Sequence, residues 1–136
     1  MVTLHVIILL ATLGVVLLAD HEALDYLRGK KPLLSRERLV LLHRLVWAGL
    51  LGMLSTGAFL FWPRRSFLVH DPAFYFKMLF VGFLIVNASV IGRLMHLASI
   101  KGYRELTREE RHTLFISGAV SLGSWACAIL LGLVLA

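Results

Sequence analysis

The chain has 136 residues, 59% of them hydrophobic and only 16% charged, with a net charge of +6. That is one domain's length, and it falls well short of the quarter or so of charged residues in a soluble domain, so the composition is that of an integral membrane protein. The lone cysteine, Cys127, excludes an internal disulfide and a paired-cysteine zinc or redox centre, and lies in an apolar run as a core thiol would. The basic residues flank apolar segments instead of forming one surface, which argues against nucleic acid and for topology signals and anionic-lipid contacts.

The opening stretch, "MVTLHVIILLATLGVVLLAD", lacks the basic start of a signal peptide and reads as a first membrane span. It is expected to run on through "HEALDYL" until Gly29 and Pro32 stop it. Further apolar segments cover roughly 39–62, 73–100 and 113–136, each near the ~20 residues needed to cross ~30 Å of hydrocarbon. Only helices or closed barrels satisfy the backbone in lipid, so the expected fold is all-α: a bundle of four transmembrane helices. "WPRRSFLVHDP" should turn the chain between the second and third, and Thr107 and Glu110 form a capping-box pattern ahead of the fourth.

Eleven of the 14 basic residues lie in or beside the first and third loops; only Arg64, Arg65 and Lys77 lie at the other end. The positive-inside rule then puts both long loops in the cytoplasm and both termini outside, as in a multi-pass protein of the bacterial inner membrane. Trp62, Phe74, Tyr75 and Phe76 would form the outer aromatic belt.

The histidines sort by end. His21, His43, His96 and His112 fall at the cytoplasmic end, and His5 and His70 at the outer one. The stretches "HRLVWAGLLGMLS" from His43 and "HTLFISGAVSLGS" from His112 share Leu, Gly and Ser at matched positions. Such a repeat suggests a duplicated two-helix unit with His43 and His112 facing each other across the bundle, although small residues common in membrane helices can produce the same match.

Two histidines on facing helices can hold a b-type haem, with Arg93, one turn before His96, placed for a propionate. Small residues beneath His96 (Gly92, Ser89, Gly82) would leave a slot or simply let helices approach. A transition metal at His43, His96 and His112, or at His21, Glu22, Asp25 and the Glu109–His112 pair, is a second reading, and plain interfacial histidines are a third. Arg93 lies deeper than snorkelling requires, so it is expected to point into the bundle or along it toward the cytoplasmic rim, with a haem propionate, Glu109 or Glu110, or helix-terminal carbonyls as its partner. Asn87 should bond helix to helix, and Lys77 reads as a snorkelling lysine.

The pattern "LHVIILLATLG" followed by "FYFKMLFVGFLIVNASVIGRLMH" resembles small bacterial four-helix proteins of the copper-resistance-D-like and haem-binding protoporphyrinogen-oxidase type. The resemblance implies a haem-associated end marked by His5 and Lys77. It departs in the third helix, where Asn87 stands in place of a further histidine, and in the first, which has no tryptophan. The sequence therefore leads to a haem b protein serving electron transfer or porphyrin-related redox chemistry. The alternative is a non-catalytic small subunit, packed against a larger membrane partner or its own copies.

Overall fold

Four helices account for nearly all of the chain: α1 (Val2–Leu27), α2 (Arg36–Leu68), α3 (Pro72–Ile100) and α4 (Arg108–Leu135), with a short 3₁₀ turn at Tyr103–Glu105. They come from a computed structural model that describes residues 1–29, 36–100 and 102–135. All four are long and apolar enough to cross a membrane. The chain is thus a helical bundle compatible with a multi-pass integral membrane protein.

Local signals set most helix ends. α1 stops just before Gly29, whose φ of +76° is a left-handed conformation that glycine adopts without steric cost. Pro32, the other expected stop, lies outside the described residues, as do Lys30, Lys31 and Lys101. The capping box before α4 is present: Glu110 N–H donates to Thr107 Oγ1 at 3.2 Å, and Thr107 N–H to Glu110 Oε1 at 3.4 Å.

The α2–α3 turn falls within the last residues of the expected stretch. Helix α2 runs through Pro63 to Leu68 and the chain reverses at residues 69–71. Proline removes one backbone donor from the ladder, but this one is near the helix end, where Trp62 carries the Arg65 guanidinium 4.6 Å from its ring centroid. The reversal is closed instead by Asp71, whose Oδ1 accepts from Ala73 N–H, and by Tyr75 Oη donating to the Val69 carbonyl. Phe61 stacks on Phe74 with ring centroids 5.2 Å apart, joining α2 to α3 within the expected aromatic belt.

Packing is strongest within two hairpins, α1 on α2 and α3 on α4, with a slighter α2–α3 seam. The outer surface is hydrocarbon (Leu10, Phe59, Phe83, Leu130), whereas the helix interfaces bury Thr12, Thr56, Asn87, Ser117, Ser121 and Ser124. That arrangement suits lipid, where apolar burial gains little and small polar residues let backbones approach and bond. In the first hairpin Gly49 meets Thr12: a Cβ there would overlap the threonine side chain, whose hydroxyl is tied to the Ile8 carbonyl at 2.7 Å. In the second, Asn87 Nδ2 donates to the Ser117 carbonyl at 3.1 Å and Ser117 Oγ donates to Asn87 Oδ1 at 2.7 Å. Asn87 is helix-to-helix glue.

The suspected repeat does not give equivalent environments. Gly49 is pressed against α1, while its counterpart Gly118 has nothing within 4 Å of where a Cβ would be. His43 is half-buried and His112 is exposed.

Candidate functional site

The end of the bundle that carries both termini brings together one residue from each helix: His5 (α1), Thr56 (α2), Lys77 (α3) and Gly132 (α4). His5 Nδ1 lies 2.7 Å from Thr56 Oγ1. The threonine hydroxyl has a single proton and lies 2.8 Å from the Gly52 carbonyl, which can accept it. With the proton there, Thr56 Oγ1 accepts from His5, the imidazole proton sits on Nδ1 and the Nε2 lone pair is open. A ligating histidine needs this arrangement: one nitrogen fixed by an acceptor, the other presented to a metal.

Beside it, Lys77 reaches across to α4. A Cβ on Gly132 would sit 3.2 Å from Lys77 Nζ, so the absent side chain at position 132 makes room for the ammonium. The lysine is half-buried, and its ammonium has no hydrogen bond or ion pair among the described residues. It does not simply snorkel outward. A Cβ on Gly57 would lie 3.7 Å from His5 Cε1, an ordinary contact, so the ring sits over α2 without crowding.

The basic end is built differently. His43 Nε2 accepts from Trp47 Nε1 at 3.0 Å, one turn further along α2, with the rings edge to face. Its ring also fills the space over Gly92, where a Cβ would be 3.0 Å from both Cε1 and Nε2. The glycine that promised a slot beneath His96 instead admits His43, so the nitrogen that usually ligates is already engaged and sterically covered.

The other residues expected at that end are dispersed. His43 lines an internal cavity of about 40 Å³ together with Asp20, Asn87, Ser121 and Trp125, room for about one water. His112 lines a separate open groove of about 710 Å³ between α1 and α4. His96 is exposed and borders neither. No group of three or more His, Cys, Asp or Glu residues that could hold a metal ion occurs among the described residues.

Glu22, offered above as a metal ligand, is buried and bonded to Arg38 at 3.2 Å, fastening α1 to α2. His21 pairs with Asp25 at 3.5 Å along the helix surface. Arg93 is exposed and its side chain has no ion pair or hydrogen bond among the described residues, so it does not point into the bundle and has no carboxylate partner there. Glu110 is spent on the α4 cap. Cys127 is half-buried.

Thr56 was missed in the sequence, and its signal was faint. It lies among the small residues Gly52, Ser55 and Gly57, typical of any membrane helix interface. No family model, no curated protein and no solved structure matches this chain.

Proposed function

We propose that this chain is an integral membrane protein that binds a b-type haem through His5 at the terminal end of the bundle and serves electron transfer or porphyrin-related redox chemistry. One observation carries the reading: Thr56 Oγ1 holds His5 Nδ1 at 2.7 Å, with the Gly52 carbonyl in reach of the threonine proton, so Nε2 is the ring nitrogen outside the contact. His5 would supply an axial nitrogen and Lys77 the counter-charge to a propionate, a charge-assisted contact stronger than a neutral one. Haem when bound supplies the one-electron chemistry; the bundle contributes orientation and a low dielectric. The eleven-to-three basic asymmetry favours an orientation with both termini, and hence this site, on the outer side of the inner membrane.

The test is the absorption spectrum of the purified full-length protein, before and after titration with haem. A Soret band that His5→Ala abolishes and that His43→Ala, His96→Ala and His112→Ala leave unaltered is the expected result. Absence of any haem band in the wild-type protein overturns the reading.

A second reading rests on Arg93. A charge on the exposed face of a spanning helix costs about 2.5–3.5 kcal/mol at the bilayer centre on insertion scales, unless it reaches the interface or meets a partner. This favours a small subunit that docks α3 on a larger membrane protein or a second copy. Cross-linking from Val90→Cys, on the exposed face one turn away, distinguishes these cases. A product containing only lipid adducts would remove this reading.

A further inference from the structure

Most of the basic end is surface, and one part of it combines charge and hydrocarbon in a single concavity. The open groove between the last turn of α1 and the first turns of α4 has a volume of about 710 Å³, roughly twenty times the ~30 Å³ share of a liquid water. We propose that this groove binds one anionic phospholipid, its phosphate held by Arg28, Arg108 and Arg111 and its acyl chain laid along Leu24, Leu27 and Phe115.

Charge supports the headgroup half of the assignment. Three guanidinium groups line the groove against one carboxylate, Glu109, leaving two positive charges when His112 is neutral. Arg28 and Arg108 are exposed, and neither guanidinium has a hydrogen bond or ion pair among the described residues. Arg111 is anchored on one side by donating from Nη2 to the Arg104 carbonyl at 3.1 Å, which fixes part of the guanidinium fork. Planar forks of this kind match phosphate oxygens two at a time.

The floor supports the acyl half. Leu24 is 41% exposed and Phe115 is 67% exposed, and both lie on helices long and apolar enough to be spans. A small inorganic anion would satisfy the arginines and leave that floor bare; an uncharged apolar molecule would do the reverse. A diacyl anion satisfies both, and basic pockets between spanning helices are where such headgroups are held. The site is independent of His5 and lies at the opposite end of the bundle.

The experiment is native mass spectrometry of the full chain, titrated with phosphatidylglycerol or with phosphatidylcholine of the same acyl chains. One phosphatidylglycerol per chain and far weaker phosphatidylcholine binding are expected. Arg28→Gln with Arg108→Gln should weaken the phosphatidylglycerol complex about thirtyfold, from the ~1 kcal/mol that each basic residue contributes near an anionic surface. Arg64→Gln with Arg65→Gln removes the same charge from the other end and should leave it unchanged. If the double groove variant fails to fold by circular dichroism, Phe115→Ser at an exposed position supplies the test, with weaker retention of long-chain than of short-chain phosphatidylglycerol expected. Equal losses in both arginine pairs, or in neither, overturn the assignment. Competition by inorganic phosphate at the same concentration also overturns it, as does a haem spectrum that depends on His112.

Discussion

His5 and His43 are each held by one side-chain hydrogen bond, yet the two bonds leave opposite chemistry behind. At the terminal end a threonine hydroxyl that can donate its own proton to the Gly52 carbonyl accepts a hydrogen bond from His5 Nδ1, and Nε2 lies outside the contact. At the basic end a tryptophan, which can only donate, occupies His43 Nε2, and the ring is wedged over Gly92. One histidine is oriented for a ligand and the other is used up in packing. The partner's hydrogen-bonding capability, more than the depth of the histidine in the bundle, decides which is which.

The largest test of that contrast is the pair of alanine substitutions. His5→Ala should eliminate bound haem, whereas His43→Ala should leave the spectrum intact, measured as haem content of the purified proteins. A reversed result would move the site to the basic end. Next in size are the hydrogen-bond partners. Thr56→Val keeps the volume but removes the acceptor, and should weaken haem affinity about 10–100-fold, the usual cost of losing an outer-shell partner. Trp47→Phe should leave affinity unchanged; a rise in affinity, with a second low-spin species, would show that freeing Nε2 is enough to recruit His43.

The smallest expected effects come from the glycines beneath each ring. Gly92→Ala forces a Cβ to within 3.0 Å of the His43 ring and should destabilise the bundle by about 1–3 kcal/mol, read as a lower thermal midpoint with altered Trp47 fluorescence. Gly57→Ala meets His5 at an ordinary 3.7 Å and should be neutral or slightly stabilising, because alanine is the better helix former. Equal losses in the two variants would mean that His5 is as tightly packed as His43.

Much of the architecture was legible in the residues. Apolar length marked all four helices, Gly29 marked the end of α1, and Thr107 with Glu110 marked the start of α4. These signals are local: a left-handed turn or a capping box needs only its own few residues. Pro63 does not end α2: the helix continues for five more residues before Asp71 and Tyr75 close the turn. Arg93 was expected to point into the bundle or along it toward the rim because a charge at depth is costly, but cost alone does not select a helix face.

Sequence by itself determined the all-helical class, the four helices long and apolar enough to cross a membrane and the basic asymmetry of the two ends, because hydropathy and charge are summed along the chain and do not depend on partners. His5 and Lys77 came into view only through a resemblance, and His43, His96 and His112 could not be ranked. Tertiary structure alone decided which glycine lies under which ring, that Asn87 spends its amide on Ser117, and that Thr56 faces His5 across 51 residues of chain. Hydrogen-bond direction explains the difference. Whether an imidazole nitrogen is open depends on what its neighbour from another helix can donate or accept, and helix rotation sets that neighbour only once all four helices have packed.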